Sequence, residues 1–528
     1  MLGGLRASAR PRALMVMDIS WITIAAWIAL STAATSAAPV PSEPDIAQAQ
    51  EDLAAGRYTS RQLVQHYLER IARLDHDGPA INAVLALQPE ALAQAEALDR
   101  ERQQDEVRGP LHGLPMLIKD NIDTADMPTT AGARAMAGHR PAQDAFIVAR
   151  LRAAGALILG KTNLSEWANF RSNRSSSGWS GLGGQTRNPY DPTRNPCGSS
   201  SGTGAAIAAD FAVVGIGTET DGSIMCPSGV NGLVGIKPTV GLVSRSGIIP
   251  ISASQDTAGP MARSVADAAA VLSVIAGTDP DDPATVDADR HRVDYREVLD
   301  QASLQGVRIG VLRQDFGFHD QVDALLEQRL EDLRRAGAVL IDPVVIEVPD
   351  TLGDAEFEVL QYEFKDGLNR YLQQGGAPVA SLSALVRLNE DKAEQELEWF
   401  DQELLERSLS KGPLSDRAYR KARALSRRLA GAQGIDAAMK KHQLDALIAP
   451  TNGPAWKTDW VNGDHFGGGS STLAAVAGYP SITVPAGLVH GLPVGLSFIA
   501  GAWQERRLIE IAYAFEQATK ARRPPQLP

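Results

Sequence analysis

Apolar residues near the start of the chain recur every three or four positions, which is the spacing of an amphipathic helix. In the segment TSRQLVQHYLERIARLD (59–75), one face of the predicted helix carries Leu63, Val64, Tyr67, Leu68 and Ile71. Thr59 or Ser60 can cap the first turn, because a hydroxyl there accepts from a free backbone N–H. Residues 89–105 have the same pattern, so two early helices are predicted.

Short apolar runs then alternate with helical patterns over most of the chain. The run GLPMLIKDNID (113–123) predicts a strand, and residues 143–162 predict a helix, a glycine stop and a second strand. Further strands are predicted at 211–217, 307–313, 444–450 and 480–487, and a last helix at about 504–520. Strands that alternate with helices form a sheet covered on both faces, so the pattern predicts an α/β fold.

The pattern changes between about residues 350 and 435. Charged helical stretches such as NEDKAEQELEWFDQELLERSLSKG (389–412) replace the strands there. The strand pattern resumes at residue 444. This segment is therefore predicted to be a helical insertion on one domain that spans about residues 45–525.

The N-terminus has the three parts of a secretory signal peptide. Arg6, Arg10 and Arg12 precede an apolar run at 19–30, and a tract of small residues follows. The run is shorter than the roughly 20 residues that span a bilayer. Residues 1–38 are therefore predicted to be a signal peptide with an approximate cleavage site, which predicts export to the periplasm or medium and no stable membrane association. An unprocessed cytoplasmic start is the alternative.

The net charge of the chain indicates which kinds of molecule it can bind. The chain has 528 residues, with 51 Lys and Arg against 63 Asp and Glu, and a formal charge of −12. This balance argues against a nucleic-acid surface and favours a small uncharged or mixed-charge partner. The nine histidines are scattered, without the spacing of a zinc site, so no metal and no cofactor are predicted.

Cys197 and Cys226 are the two cysteines of the chain. They could pair in an exported protein. Two cysteines do not make a disulfide framework in a chain of this size, however. The favoured interpretation is that they are small apolar residues filling space in glycine-rich loops.

The segment GALILGKT (155–162) matches a phosphate-binding loop at every fixed position. Such a loop follows a strand and opens a helix, and its variable residues wrap the phosphates. Here those residues are apolar and predict the strand itself, with Gly155 ending the helix before it. Nucleotide binding is therefore rejected, although Lys161 could line a cleft at the strand exit.

The segment GSSSG (198–202) matches the nucleophile elbow of α/β hydrolases, with Ser200 in the centre. That elbow needs a buried strand before it. The preceding GGQTRNPYDPTRNPC (183–197) is rich in proline and asparagine, which argues against a central strand. An esterase with Ser200 as nucleophile remains a distant alternative.

A helix and the strand after it bring two other serines together. Residues 202–210 predict a short helix, and the strand at 211–217 returns antiparallel to it. The start of the helix and the end of the strand are then neighbours, which places Ser199 beside Ser223. The residues before Ser223 predict a sharp turn, and successive N–H groups of such a turn can bind an oxyanion. A tight turn without this role is the alternative.

A serine nucleophile needs a base, and no histidine lies near either glycine-rich loop in the sequence. Lys119 ends an apolar strand, where burial would lower its pKa toward neutrality. The next residue, Asp120, would oppose this if it paired with the ammonium, but successive strand residues face opposite ways. An ordinary surface lysine paired with a carboxylate is the alternative.

Taken in order, these segments resemble the amidase signature family. The resemblance covers about residues 45–525 and rests on GPLHGLPMLIKDNID, AGALILGKTNLSEWANF, GGQTRNPYDPTRNPCGSSSGTGAAIA, GIGTETDGSI, NGLVGIKPTVGLVSRSGIIPISASQDTAGPMARSVADAA and AAVAGYPSITVPAGLVHGLPVGLSFIAG. It implies the fold of that family, a mixed central β-sheet covered by helices on both faces, with a helical insertion. It also implies hydrolysis of amides through an acyl-enzyme.

The resemblance assigns roles to individual residues. Ser223 is the expected nucleophile, Ser199, held by a cis peptide bond, relays its proton, and neutral Lys119 is the base. Thr218 is expected to support the loop. The expected oxyanion hole consists of the backbone N–H groups of Thr220, Asp221, Gly222 and Ser223.

Within the family, SEWANF (165–170), SGWSGLGGQTRNP (177–189) and YEFKDGLNRYL (362–372) resemble bacterial peptide amidases. This implies removal of the C-terminal amide from peptides, with a broader amidase of aryl, alkyl or oligomeric amides as the alternative. Asp221 and Met225 depart from the commoner family pattern, which argues against the tRNA-dependent amidotransferase subunit. Further candidates to line the cleft are Asn169, Phe170, Arg171 and Trp179.

Overall fold

The computed structural model describes residues 40–374 and 376–528, so the predicted signal peptide at 1–38 lies outside the described residues. Residues 40–528 form one unit around an eleven-stranded sheet. The strands are β1 (Val84–Leu87), β2 (Pro115–Lys119), β3 (Leu157–Thr162), β4 (Trp179–Ser180), β5 (Gly184–Gln185), β6 (Val214–Glu219), β7 (Val234–Lys237), β8 (Thr257–Ala262), β9 (Arg308–Leu312), β10 (Val339–Val344), β11 (Ala446–Pro450), β12 (Ser481–Val489) and β13 (Leu492–Ile499).

The large sheet is mixed in direction. Its order is β1-β3-β2-β6-β8-β7-β12-β13-β11-β9-β10, and β4 pairs separately with β5. Strand β2 lies between β3 and β6 and is parallel to both, whereas β8 is antiparallel to β6 and β7. At the other end β9 is parallel to β10 and β11. The prediction of a mixed sheet with helices is confirmed.

Helices cover the sheet and supply much of the core. They are α1 (Ile46–Ala54), α2 (Ser60–Ile71), α3 (Ala91–Gln103), α4 (Phe146–Ala153), α5 (Ser201–Ala208), α6 (Met225–Val230), α7 (Val265–Ile275), α8 (Ala288–His291), α9 (Asp320–Arg335), α10 (Thr351–Gln374), α11 (Leu382–Asp391), α12 (Ala393–Glu396), α13 (Glu403–Leu409), α14 (Arg417–Arg427), α15 (Asp436–His442), α16 (Thr472–Ala477) and α17 (Glu505–Thr519). The predicted face of α2 is buried except for Leu68, which is half-buried, and Thr59 caps the helix in a capping box with Gln62. Among the described helices, none combines the length and apolar character needed to cross a bilayer.

The region predicted as a helical insertion is helical. Helices α10 to α15 and the loops between them make up residues 351–442, and the described part of this stretch contains no strand. Its own apolar cluster includes Phe364, Leu368 and Leu405, and that cluster reaches Trp167 and Phe170 of the sheet domain. The helical region is therefore packed onto the loops that follow β3.

Several strands were not predicted, among them β7 (VGIK) and β8 (TAGPMA). Both are fully buried, and β8 joins β6 to β7. Small residues, glycine and proline dominate β8, and Thr257 is its one β-branched residue, so its sequence gives only a weak strand signal. Tertiary pairing determines its conformation.

Candidate active site

Lys119 is the last residue of β2 and is fully buried. Its neighbour Asp120 points elsewhere and forms an ion pair with Lys161, with 3.0 Å between Nζ and the carboxylate. The alternation of the chain thus separates Lys119 from the adjacent carboxylate, as predicted.

The segment GALILGKT does not form a phosphate-binding loop. Residues 157–162 are the buried strand β3, which follows α4 and a glycine turn. Lys161 Nζ donates to the Pro128 carbonyl (3.0 Å) and to Thr129 Oγ1 (2.9 Å). The expectation that Lys161 lines a cleft is wrong, because its ammonium is fully buried and paired with Asp120.

The amine of Lys119 contacts only uncharged groups among the described residues. Nζ lies 2.7 Å from Ser199 Oγ, 2.9 Å from Thr218 Oγ1 and 3.2 Å from the Thr218 carbonyl oxygen. Burial lowers the pKa of Lys119 to about 7, and the negative charges of Asp256 and Glu219 oppose that shift. A large fraction of this amine is therefore neutral near pH 7.

Ser199 is fully buried in the loop before α5, and the Gly198–Ser199 peptide bond is cis. Its carbonyl accepts from the Ser165 N–H at 3.1 Å. A Cβ at position 198 would lie too close to Ser165 Oγ, so a larger residue there would force the Ser165 side chain to move. The loop after β3 thus presses against the serine loop and fixes the hydroxyl beside Lys119.

Ser200 cannot act as the elbow nucleophile in this arrangement. Its buried hydroxyl donates to the Thr218 carbonyl (3.0 Å) and accepts from the Thr218 N–H (3.2 Å). Both hydrogen bonds go to the backbone of β6, so the side chain is a structural link.

The same serine loop meets the turn that carries Ser223. The Ser200 N–H donates to the Ser223 carbonyl at 3.2 Å, so the structure brings the Ser199 and Ser223 loops together as predicted. Ser223 keeps 8% of its surface exposed, whereas Lys119 and Ser199 keep none. Ser223 is therefore the most exposed of the three residues, and Lys119 and Ser199 are fully buried.

The turn from Thr220 to Ser223 presents free backbone donors. Gly222 has a φ of +76°, which reverses the chain after β6. Among the described residues, no acceptor lies within hydrogen-bonding range of the N–H groups of Asp221, Gly222 and Ser223. Convergent free N–H groups in a turn form an anion-binding nest.

Buried side chains hold this turn in place. Glu219 accepts from the N–H groups of Ile224 (2.7 Å) and Met225 (2.9 Å), just beyond the turn. Thr220 Oγ1 donates to Asp256 at 2.6 Å. The Asp221 carboxylate accepts from the hydroxyls of Ser471 and, at 2.8 Å, Thr472.

Cys197 and Cys226 form a disulfide, with 5.9 Å between their Cα atoms. The interpretation of both as unpaired filling residues is therefore wrong. Their spacing alone could not decide this, because the two loops meet only after α5 and β6 have folded back on each other. The bond joins the Ser199 loop to the first turn of α6, beyond Ser223.

A cavity of about 380 Å³ lies between the helical region and the loops around it. It is lined by Asn169, Phe170, Ser172, Asn173, Ser175, Phe357, Leu360, Leu404, Asn462 and Asp464. Asn169 and Phe170 line this cavity, whereas Lys119, Ser199 and Ser223 are not among its lining residues, so their place in the catalytic cleft stays a prediction. Arg171 is instead buried in an ion pair with Glu166 (2.8 Å), and Trp179 packs on Phe400, so neither belongs to this wall.

Some residues around the site were missed by sequence reasoning. Asn121 lies in the turn that follows β2 and donates to Thr218 Oγ1 at 3.0 Å. A turn position has no fixed face, so its spacing of two residues from Lys119 gave no usable signal. Gln255 and Glu356 gave none, because they reach the turn from distant segments. In the described part of the chain, no group of three His, Cys, Asp or Glu side chains is placed to hold a metal.

Comparison with known proteins agrees with this architecture. The family model Amidase matches residues 62–509. The crystal structure of the native peptide amidase from Stenotrophomonas maltophilia is 55% identical, with a TM-score of 0.87, over 92% of this chain and 99% of that one. A structure of the peptide amidase PAM with the competitive inhibitor chymostatin gives 56% identity and a TM-score of 0.90 over the same shares of the two chains.

A probable amidase of Arabidopsis thaliana is 41% identical over 485 residues, which is 89% of each chain. The match of the family model to most of the chain, together with these relatives, shows the fold and the class of reaction. The chain belongs to the amidase signature family and is a hydrolase of amide C–N bonds.

Proposed function

We propose that this amidase removes the C-terminal amide from peptides, releasing ammonia, with Ser223 as nucleophile, Ser199 as relay and Lys119 as base. The observation that carries the proposal is the contact between a buried lysine amine and Ser199 Oγ at 2.7 Å. An uncharged amine in this place can accept a proton from a hydroxyl.

The hydrogen bonds of Lys119 suit its neutral form. A neutral amine has two hydrogens, which the carbonyl and hydroxyl oxygens of Thr218 can accept. Its lone pair is then free to accept from the hydroxyl of Ser199. Thr218 thereby orients the base, and Asn121 supports Thr218 from the other side.

In the acylation step, Ser223 Oγ attacks the carbonyl carbon of the substrate amide. Its proton passes to Ser199, whose own proton passes to Lys119. The carbonyl oxygen becomes an oxyanion and accepts from the free N–H groups of Asp221, Gly222 and Ser223. One such donor is worth about 3 to 4 kcal/mol of barrier.

The tetrahedral intermediate then breaks its C–N bond. The proton held by Lys119 returns through Ser199 to the departing nitrogen, so ammonia leaves as a neutral molecule. Water attacks the ester of Ser223, loses a proton along the same path, and releases the acid. The three side chains end each cycle in their starting protonation states.

We propose that the acyl part of the substrate, a peptide, binds in the cavity beside α10. The cavity beside α10 combines aromatic and aliphatic side chains with amides, hydroxyls and one carboxylate, Asp464. Such a mixed lining suits a peptide chain, which needs both apolar contact and hydrogen bonds. The relatives with the highest identity given above are peptide amidases. A broader amidase of aryl, alkyl or oligomeric amides is the alternative.

Ammonia release from a panel of substrates tests the proposal. The panel contains peptide amides, free amino-acid amides, aryl amides and a nitrophenyl ester. We expect the highest kcat/KM for peptide amides. A preference for aryl amides would replace the peptide assignment with the broader one, and cleavage of the ester alone would contradict amidase activity under this mechanism.

Two serine variants separate the mechanisms. Ser223→Ala should fold and show no turnover, because the substitution removes one oxygen from a turn. Ser200→Ala should retain turnover with some loss of stability, because Ser200 only links the loop to β6. The reverse result would favour the esterase mechanism.

We also propose export of the protein. The predicted signal peptide and the Cys197–Cys226 disulfide support it, because disulfides persist in oxidising compartments. Fractionation of cells expressing the full chain should place a shortened protein, by mass, outside the cytoplasm. Recovery of the full-length chain in the cytosol would contradict this.

A further inference from the structure

A pair of carboxyl groups lies where the helical region meets the turn of the active site. Glu356, in the second turn of α10, is buried and touches Asp221 of the turn. The proposed mechanism uses neither side chain. Two carboxyl groups in contact at a buried site share a proton, since both cannot be ionised there at low cost.

Gln255 connects Glu356 to the backbone of the turn. Its Nε2 donates to Glu356 Oε1 at 2.9 Å and to the Thr220 carbonyl at 3.3 Å. The Thr220 carbonyl and the Asp221 N–H belong to one planar peptide group, in which they point in opposite directions. Holding that carbonyl therefore aims the Asp221 N–H at the opposite side, where the oxyanion forms.

The protonation of the pair matches this arrangement. Burial, and then the charge of Asp221, raises the pKa of Glu356 to about 8. Glu356 is thus protonated at neutral pH, so its O–H can donate to Asp221 while Oε1 accepts from Gln255. Burial also raises the pKa of Asp221, which Ser471 and Thr472 oppose by donating to it.

Other charged groups face the pair from the sheet. Lys237 of β7 and Glu219 of β6 interact with Asp221, and burial lowers the pKa of Lys237 to about 8. Asp256 binds Thr220 on the far side of the turn. A test of Glu356 must therefore distinguish its titration from that of Lys237.

We propose that Glu356 is a positioning residue for the oxyanion turn, acting as a neutral acid that orients the Asp221 N–H through Gln255 and steadies the Asp221 side chain directly. The helical region thereby takes part in catalysis through α10. This inference rests on the proposed function, because it assigns the turn the role of binding the oxyanion.

The proposal predicts an alkaline limb in the pH profile. Above about pH 8, Glu356 ionises beside Asp221, and two adjacent carboxylates repel each other. The repulsion displaces the turn, so kcat falls as pH rises. Lys119 sets a separate acid limb near pH 7, which the Glu356 variants should keep.

The test measures kcat and KM for ammonia release from the best peptide amide between pH 5.5 and 10. Glu356→Gln keeps an N–H donor toward Asp221 and an acceptor for Gln255, but it cannot ionise. Glu356→Leu removes both hydrogen bonds. Glu358→Gln is the matched control, because Glu358 lies on the same helix and pairs with Lys411 away from the turn.

We expect Glu356→Gln to match the wild-type kcat at pH 7 and to lose the alkaline limb. Glu356→Leu should lower kcat by roughly tenfold to a hundredfold with little change in KM, because the oxyanion forms in the tetrahedral intermediate and the transition states that flank it and is absent from the bound substrate. The control should keep the wild-type profile. If circular dichroism shows that Glu356→Leu does not fold, the presence or absence of the alkaline limb in Glu356→Gln tests the proposal.

An alkaline limb unchanged in Glu356→Gln would overturn the inference and point to Lys237. A wild-type kcat in folded Glu356→Leu would overturn it as well. Both of these results are compatible with amidase activity of the wild-type enzyme. The proposed function itself would be contradicted only if the wild-type enzyme released no ammonia from any amide. The two failures are therefore distinguishable.

Discussion

Two lysines on neighbouring strands, Lys119 on β2 and Lys161 on β3, are both fully buried and have opposite surroundings. Lys161 has a carboxylate partner, Asp120, at 3.0 Å. Lys119 has hydroxyl and carbonyl oxygens around it, and no carboxylate of the described residues forms an ion pair with it.

The difference shows that burial alone does not make a base. Burying an ammonium is costly, and a paired carboxylate offsets the cost by stabilising the charge. Without such a partner the cost appears as a lowered pKa, which is what Lys119 shows. The sheet thus holds one lysine in an ion pair and leaves the other, the proposed base, without one.

The largest expected effect comes from Lys119→Met. The variant should fold with unchanged or higher stability, because no ion pair is broken, and turnover should fall by about 10⁴-fold or more, since triad members act as a unit. Ammonia release and a thermal melt measure the two quantities. Turnover within tenfold of wild type would refute the relay.

Lys161→Met should lower stability and leave turnover nearly unchanged, the opposite of what is expected for Lys119→Met. It leaves Asp120 buried without its partner, which costs about 3 to 5 kcal/mol of the free energy of unfolding. Denaturant unfolding measures the loss, and kcat of the remaining folded enzyme should stay near wild type. Adding Asp120→Asn should recover part of the stability. A stable single variant would contradict the structural role of the pair.

The acid limb of the pH profile isolates the ionisation of Lys119. Only its neutral form accepts a proton, so activity is lost as pH falls through its pKa of about 7. We expect kcat/KM to drop about tenfold per pH unit below that value. A profile that stays flat to pH 5 would mean that the lysine is not the base.

The smallest effect concerns the charge behind Lys119. The negative charge of Glu219 opposes the lowering of the Lys119 pKa. The same Glu219 oxygen, Oε2, accepts from the backbone N–H groups of both Ile224 and Met225. Glu219→Gln keeps that oxygen and removes the charge, so the acid limb should move to lower pH. For a shift of about half a unit, activity at pH 6 would rise roughly threefold. Movement to higher pH would contradict this electrostatic account.

Local patterns predicted one half of the inner site. A helix that folds back on its own strand placed Ser199 beside Ser223, whereas the family resemblance assigned Lys119 to the same site. The alternation of β2 also separated Asp120 from Lys119 correctly. These features depend on residues close in sequence or on simple antiparallel geometry.

The outer part of the site depends on packing between distant segments. Glu356 lies in a charged helix whose buried face is set by contact with the turn, and nothing in its local sequence distinguishes it from Glu358. The disulfide and the pairing of β8 have the same origin. Periodicity carries no information about which distant segment covers which face.

The disulfide turns the stretch from Cys197 to Cys226, 29 positions apart, into a closed covalent ring that carries both hydroxyls of the proposed triad, those of Ser199 and Ser223. Closing a ring of this size lowers the conformational entropy of the unfolded chain, which stabilises the folded state by about 3 to 4 kcal/mol. Of the three side chains in the proposed triad, Lys119 alone lies outside the ring, on β2. A reductant would open the macrocycle without altering any reacting atom, so we expect reduction to lower the stability of the two serine loops and to leave their hydroxyls chemically unchanged.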